Sequence, residues 1–500
     1  MAQVVLDDAA EAPADVDAPL SRLSLGVRAG YGLGSLASGI AGTVLAGSVL
    51  QLYFNQVIGL PAAWVGAAIM VTIIIDSITD PLIGRFSDGL RTPLGRRHVL
   101  MYASAVPSAL GVLAMWHAPQ TLGPVGLLAF MVGMLLFVRI VTSFFDIPSR
   151  ALGPELAPDY HDRTGLIAWR FLFGIAGGAV INAILYQVFL REDAANPLGV
   201  LNRERYADFG LFAAVLILIT IVASTFATHH RIKTLHVPPA HRQTLKEALG
   251  ELRGAVRQPG LLMLMLATML NGFGGGLWFG LYVYLFLNFW GLKPQEMSFV
   301  ILAGPVSSVL ALWVVPRVSA RVGKRPFMMA CYLGWLLMFL TPFVARMAGL
   351  MPSGGAPLWG ALAAIAVVEL LFAYGVHIVL QSMLTDAADA VAVKTGRRLE
   401  GVLFATFGLL DKWGIAFGAF GAGLVLALVG FPTKAVPGTV APEIVNGLAL
   451  ACVPAVAACN MVAMILISRF RIDQTQHARN IAELRRRELE NAGLIASADV

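Results

Sequence analysis

The segment PAAWVGAAIMVTIIIDSITDPLIG, residues 61–84, is apolar along most of its length and carries only two charged side chains. A helix that crosses a bilayer needs about 20 consecutive, mostly apolar residues, so this segment predicts one membrane span. Eleven other stretches of the chain have the same character. The twelve predicted spans cover residues 28–55, 61–84, 99–117, 122–156, 164–190, 208–229, 260–289, 294–316, 326–347, 357–385, 400–430 and 443–468.

The composition excludes an ordinary soluble enzyme. Hydrophobic residues make up 57% of the 500-residue chain and charged residues 13%, whereas soluble proteins carry about 25% charged residues. The mean hydropathy is +0.74. The sequence therefore predicts an all-α integral membrane protein whose function lies inside a bundle of twelve transmembrane helices.

Lysine and arginine are distributed unevenly between alternate loops, and this explains the net charge of +6 without a nucleic-acid partner. Short cytoplasmic loops are enriched in these two residues. With the N-terminus inside, 26 of the 36 Lys and Arg residues fall in inward segments and six in outward loops. We predict a multi-pass protein of the cell (inner) membrane, surrounded by lipid, with both termini cytoplasmic.

The longest polar interruption, residues 230–259, separates two groups of six spans. A short repeat agrees with this division, because Gly95-Arg96-Arg97 follows the second span and Gly323-Lys324-Arg325 follows the eighth. Two such halves with a substrate site between them are typical of an alternating-access transporter. The predicted organisation is a disordered cytoplasmic tail (1–24), an N-terminal half (25–229), a cytoplasmic linker (230–259), a C-terminal half (260–470) and a cytoplasmic tail (471–500) that forms either a solvated or a membrane-surface helix.

Two acids lie within the second span, where a charged group costs at least about 2.5 to 3.5 kcal/mol and needs a partner or a function. Asp76 and Asp80 are four residues apart, so both carboxylates project from one helical face, with Thr79 beside them. A bound cation or a shared proton would relieve their mutual repulsion. The alternative for Asp80 is a cap or an ion pair near the cytoplasmic end of the helix.

The fourth span adds Ser143 and Asp146 on one face. Oxygen ligands from both spans suit a hard cation such as sodium, and equally suit a proton carrier. Arg170 and Lys412 can balance these acids, and Arg139 is expected to pair with Asp146 on the same helix. Two further titratable groups of the tenth span, Glu369 and His377, are interpreted as satisfied interior groups.

These motifs together resemble those of the glycoside-pentoside-hexuronide cation symporters, the melibiose permease-like family of the major facilitator superfamily. The resemblance covers nearly the whole chain in matching order. The residues that carry it are Asp76-x-x-x-Asp80-Pro81-Leu82-Ile83-Gly84-x-x-Ser87-Asp88, Gly95-Arg96-Arg97, Asp146-Ile147-Pro148, Asp386-x-x-Asp389, Lys394-Thr395-Gly396-Arg397-Arg398-x-Glu400-Gly401 and Lys412.

The resemblance implies the major facilitator fold and assigns roles to individual residues. It implies a cation site with the ligands Asp76, Thr79, Asp80, Ser143 and Asp146. It implies substrate contacts from Asp146 and Arg170, and it places Lys412 at the same site as a balancing charge, so Lys412 is also predicted to be a substrate-binding residue. It implies a cytoplasmic gate formed by Gly84, Asp88, Gly95, Arg96 and Arg97.

Two positions differ from the family pattern. The first-helix acid that holds sugar hydroxyls falls at Gly39, and the aromatic residue that stacks on the sugar falls at Arg150. Losing an acceptor and gaining a cation favours an anionic sugar, such as a hexuronide, over a plain galactoside, and adds Arg150 to the predicted substrate-binding residues. Alternatively, Arg150 forms a salt bridge with Asp146, four residues earlier.

We therefore predict a secondary active transporter that couples a cation, sodium or proton, to symport of a small solute, a sugar or glycoside. A lysolipid-like carrier of the same superfamily is the second interpretation, and an integral-membrane enzyme or a channel belongs to a different class. Cys331, Cys452 and Cys459 have no disulfide or metal-site spacing, and no phosphate-binding loop is present. We expect a monomer without catalytic activity, cofactor or metal other than sodium.

Overall fold

The computed structural model describes residues 24–157, 160–194, 196–232, 259–395 and 400–469, together with residues 483 and 486. The predicted N-terminal tail, almost all of the linker and nearly all of the C-terminal tail lie outside these ranges. Gly396, Arg397 and Arg398 of the quoted motif also lie outside them.

Twelve helices of the described chain are long and apolar enough to cross a membrane, and the described residues contain no β-strand. This confirms the predicted all-α fold class. In chain order the helices are α1 (Leu25–Ile58), α2 (Ala62–Gly89), α3 (His98–Met115), α4 (Pro124–Leu156), α5 (Gly165–Phe189), α6 (Arg203–His229), α7 (Gly260–Phe289), α8 (Pro294–Val322), α9 (Lys324–Met347), α10 (Gly355–Val393), α11 (Leu403–Leu428) and α12 (Pro442–Ser468).

Several helices extend beyond the apolar stretches that predicted them. Helix α10 continues to Val393 rather than residue 385, and α8 continues to Val322 rather than residue 316. Apolar composition marks only the part of a helix that suits hydrocarbon, whereas backbone hydrogen bonding continues through a polar turn. The added turns carry charged residues such as Arg321 and Asp386.

Glycine residues allow α11 to approach two neighbouring helices closely. A side chain at Gly418 would lie 2.7 Å from the backbone nitrogen of Leu277 in α7. A side chain at Gly66 of α2 would lie 2.9 Å from the carbonyl oxygen of Ala419. Small residues at helix contacts are the usual means of close backbone approach in membranes. These contacts bring α11 of the C-terminal half against α2 of the N-terminal half.

Hydrogen bonds between the halves cluster at the face opposite the α2–α3 and α8–α9 loops. The side of the molecule that carries the α2–α3 and α8–α9 loops is called the basic face, after Arg96, Arg97, Lys324 and Arg325. The opposite side we call the closing seam, defined by hydrogen bonds of Asn55, Gln56, Gln187, Tyr284 and Gln295. At this seam Tyr284 donates to Asn55 over 3.0 Å, Gln56 donates to the Pro432 carbonyl over 3.1 Å, and Gln187 donates to the Gln295 carbonyl over 2.8 Å.

The seam residues of α1 and α5 project from π-helical turns at the ends of those helices. Asn55 and Gln56 lie in the turn Leu52–Ile58, and Gln187 lies in the turn Leu185–Phe189. A π-turn is rare and is frequently found at functional sites. The halves are thus held together at one face, around a cavity at the depth of the predicted acids.

Candidate functional site

A cavity of about 590 Å³ lies between the two halves. Helices α1, α2, α4 and α6 line it from the N-terminal half, and α7 and α11 line it from the C-terminal half. Six of the residues predicted from the sequence line this central cavity: Asp76, Asp80, Ser143, Asp146, Arg150 and Lys412.

The Lys412 ammonium lies between the two acids of α2. Its Nζ atom is 3.0 Å from Asp76 Oδ2 and 2.5 Å from Asp80 Oδ2. Asp76 is 7% exposed, so its charge is largely shielded from water. Because a charged group at this depth needs a partner, the lysine of one half stabilises both carboxylates of the other half.

The Ser143 hydroxyl of α4 completes this cluster. It donates to Asp80 Oδ1 over 2.9 Å and lies 3.4 Å from Asp76 Oδ1. Arg139, one turn before Ser143 on α4, lines the same cavity, and its Nε atom is buried without a hydrogen-bond partner in the described structure. The site thus combines two carboxylates and a hydroxyl with two cations.

Thr79 does not line the central cavity as described. Its hydroxyl donates to the Asp76 carbonyl oxygen over 3.0 Å, within its own helix. The structure therefore brings Asp76, Asp80 and Ser143 together and leaves the Thr79 hydroxyl outside this group.

Asp146 forms a second cluster with different partners. The Ser38 hydroxyl of α1 donates to its Oδ1 atom over 2.7 Å, and Arg150 lies 2.7 Å from its Oδ2 atom. Arg170 of α5 approaches Oδ1 at 3.4 Å. The expected pairing of Asp146 with Arg139 is thus wrong, because in the described structure the carboxylate pairs with Arg150 and Arg170. Arg150 is one turn away on the same helix, and Arg170 belongs to a neighbouring helix whose position cannot be predicted from spacing along α4.

Arg150 pairs with Asp146 and also faces the cavities, so the two alternatives stated for it coexist. Its side chain is 68% exposed. It lines the central cavity and a neighbouring cavity of about 590 Å³ between α1, α4 and α5. Arg170 lines the neighbouring cavity, donates to the Ser149 hydroxyl over 2.8 Å and lies over the Tyr31 ring.

Gly39 is glycine for a steric reason. A side chain there would begin 2.6 Å from the Gly174 carbonyl oxygen and 2.8 Å from the Gly178 nitrogen of α5. The close packing of α1 on α5 leaves no room for an acid at this position. Ser38, its neighbour, supplies the α1 polar contact instead.

The predicted gate residues meet at the basic face around an acid that sequence analysis missed. Glu155 of α4 is 7% exposed and binds Arg96 over 2.7 Å and Arg97 over 3.1 Å through one carboxylate oxygen. Arg97 also binds Asp88 over 2.5 Å. Gly84 lies against Ile147 of α4. The signal available in the sequence was a fourth charged residue, an acid, at the end of the predicted span 122–156.

The C-terminal half repeats this arrangement. Gly95 and Gly323 both have positive φ, +76° and +93°, a conformation that favours glycine. Lys324, which follows Gly323, binds Asp386 of α10 over 2.7 Å. The Gly-basic motif therefore ties the loop after the second helix of each half to the fourth helix of that half, a contact that the sequence repeat alone does not predict.

We expect Glu155→Gln to lower the free energy of unfolding by about 3 kcal/mol, because removing one partner of a buried ion pair leaves buried charge uncompensated. Thermal unfolding of the purified protein would measure the change. Glu204→Gln, at an exposed helix start, is the matched control. Equal stability of the two variants would contradict the role of Glu155 as the shared anchor of Arg96 and Arg97.

Comparison with known proteins identifies the family. The model of the MFS/sugar transport protein family matches residues 30–474. The chain belongs to this family. The match spans both six-helix halves and confirms the resemblance inferred from the motifs of α2 and α4.

Two curated relatives of this MFS sugar transport chain are named as carriers. The putative glycoside/cation symporter YagG of Escherichia coli is 24% identical, over 82% of this chain and 85% of the relative. A putative sulfoquinovose importer of Salmonella typhimurium is 23% identical, over 82% of each chain.

Solved structures agree with the MFS fold. The inward open structure of the xylose transporter XylE from E. coli superposes with a TM-score of 0.60 at 14% identity, covering 91% of this chain and 98% of that one. At this identity the likeness shows the fold alone.

Proposed function

We propose that this MFS chain is a secondary active transporter that couples a cation to the symport of a sugar or glycoside by alternating access. The observation that carries the proposal is the bridge from Lys412 to Asp76 and Asp80, which joins the halves across a membrane-depth cavity. Family membership and the names of the relatives support a sugar and a cation as the two cargoes.

The coupling cation, sodium or proton, would bind between Asp76 and Asp80, with Ser143 as a third oxygen ligand. The Lys412 ammonium now contacts the same carboxylate oxygens. A cation that neutralises these acids weakens their hold on Lys412. Because Lys412 belongs to the other half, cation binding would change the balance between the two arrangements of the halves.

The sugar would bind at the Asp146 cluster. A carboxylate accepts hydrogen bonds from sugar hydroxyls, and two guanidinium groups offer planar pairs of donors that match a carboxylate or sulfonate. The relative named as a sulfoquinovose importer supports a negatively charged sugar. Lys412 balances charge between this cluster and the cation site.

The positive-inside pattern supports a cytoplasmic basic face, with both termini inside the cell (inner) membrane. The closing seam would then lie on the outer side, and the central cavity would open inwards. The ion pairs of Asp88, Arg96 and Arg97 would act as the gate that changes partners when the basic face closes. Both clusters come from one chain, which supports a monomer as the transporting unit.

Uptake into proteoliposomes tests the function. The purified chain should accumulate a sugar, uronate or sugar sulfonate above its external concentration under a sodium or proton gradient, and should exchange it without a gradient. Uptake of none of these solutes, with uptake of a lysolipid instead, would overturn the proposal.

We predict that Arg150→Gln weakens uronate binding at least tenfold and spares neutral sugars, because a charge-assisted hydrogen bond contributes roughly 1.5 to 3 kcal/mol. Calorimetric titration of the purified protein would measure both affinities. Arg205→Gln removes an exposed arginine that pairs with Asp208 at a distance of three residues, and serves as the control. Equal losses for neutral and acidic sugars would make Arg150 a structural residue.

A further inference from the structure

A third cavity, of about 400 Å³, lies within the C-terminal half. Helices α7, α8, α9, α10 and α12 line it, and Phe279 of α7 lines both this cavity and the central one. None of the residues of the cation site or the Asp146 cluster lines it. We call it the C-half pocket.

Aromatic rings form much of the wall of the C-half pocket. Trp278, Phe286, Trp335 and Tyr374 line it together with Phe279. The ring centroids of Trp278 and Phe286 are 6.5 Å apart, with the rings nearly perpendicular. Such walls bind apolar rings by contact, and their faces attract cations.

Two hydrogen-bond acceptors in this pocket have no protein partner among the described residues. The Glu369 carboxylate of α10 lines the pocket, and the described structure gives it no hydrogen bond or ion pair. The Asn271 side chain donates from Nδ2 to the Tyr332 hydroxyl over 2.7 Å, whereas its Oδ1 atom is buried without a partner. Burying an unpaired acceptor costs free energy that a ligand donor would recover.

The His377 imidazole also lines the pocket, eight residues after Glu369 on α10. His377 interacts electrostatically with Asp411 of α11. Among the described residues no hydrogen bond or ion pair joins His377 to Glu369, so the Glu369 carboxylate lacks a counter-charge. The sequence interpretation of Glu369 as a satisfied interior group does not agree with this geometry.

We propose that the C-half pocket is a binding site for an organic ammonium ion with an aromatic body. The ammonium would pair with Glu369 and donate to Asn271 Oδ1, and the aromatic body would pack among the indole and phenyl rings. An anionic or neutral ligand of the same shape would leave the carboxylate unpaired. The site is separate from the sugar and cation clusters and does not depend on the function proposed for them.

Calorimetric titration with tryptamine and with tryptophol, which replaces the ammonium by a hydroxyl, tests the proposal. We expect the purified full chain to bind tryptamine at least tenfold more tightly than tryptophol. Glu369→Gln should remove this preference. Binding should survive Asp146→Asn, which disables the proposed sugar cluster, so the two proposals can fail separately.

A second variant keeps the test independent of Glu369. A Cβ atom at Gly275 would meet nothing within 4 Å and would enter the pocket, so Gly275→Leu should fill it and weaken tryptamine binding at least tenfold. Gly133→Leu is the matched control, because Gly133 lies on an exposed face of α4 and a Cβ atom there also meets nothing within 4 Å. This variant should bind tryptamine as tightly as the unchanged protein. Equal affinity for the two probes, tryptamine binding unchanged by either pocket variant, or no tryptamine binding would each overturn the proposal.

Discussion

Asp80→Asn is expected to abolish uphill accumulation of the sugar while leaving exchange across the membrane in place, and Asp76→Asn is expected to do the same. Each change removes one of the two carboxylates that contact Lys412. The remaining acid keeps its bond to Lys412. One carboxylate alone provides too little negative charge for a coupling cation to displace the lysine. The sugar cluster around Asp146 has other partners and persists.

Two assays on the same proteoliposomes separate these effects. Gradient-driven uptake should stop at equal internal and external concentrations, whereas counterflow of labelled sugar should continue. Thr79→Val is the matched control on the same helix, because the Thr79 hydroxyl bonds to a backbone carbonyl and does not line the cavity. Full concentrative uptake by both asparagine variants would remove Asp76 and Asp80 from the cation site.

Gly418→Val is expected to cause the largest loss of stability, about 3 kcal/mol of unfolding free energy or more. A side chain at this position would lie 2.7 Å from the Leu277 nitrogen and 2.8 Å from the Gly276 Cα atom. Both are backbone atoms of α7, so no side-chain rotation relieves the clash. The separation of α7 and α11 would also shift Lys412 away from Asp76.

Gly408→Val on the same helix is the control for this substitution. Gly408 is exposed, and a Cβ atom there meets nothing within 4 Å. The unfolding temperature in detergent should fall sharply for Gly418→Val and stay close to that of the unchanged protein for Gly408→Val. Equal unfolding temperatures would show that the α7–α11 contact is less closely packed than the structure indicates.

The sequence predicts the twelve helices well because each one must place apolar side chains in the same hydrocarbon environment. An apolar stretch of about 20 residues has few alternatives to a membrane helix. The ends are less predictable, since a helix such as α10 continues through polar turns to Val393. The repeat of Gly95 and Gly323 is also visible in the sequence, because a backbone position with positive φ favours glycine.

The division of the acids into two clusters could not be predicted from spacing. Helical periodicity places Asp76 and Asp80 on one face, and Ser143 and Asp146 on another, but it does not fix how α2 and α4 rotate against each other. The contact of Ser38 with Asp146 joins residues 108 positions apart. Such partners depend on packing between helices, as does the meeting of Glu155 with Arg96 and Arg97.

The closing seam is made from neutral groups, and this determines how it responds to the surrounding medium. In the described chain its bonds come from side-chain amides, hydroxyls and backbone carbonyls, as at Asn55, Gln56 and Gln187. Salt screens interactions between charges but has little direct effect on bonds between neutral groups. The seam should therefore open and close at a rate that is independent of ionic strength on its own side, while the ion-paired basic face experiences the salt of the other compartment. With the seam on the outer side, as proposed, the carrier would keep a constant return rate for its empty form when the external salinity changes.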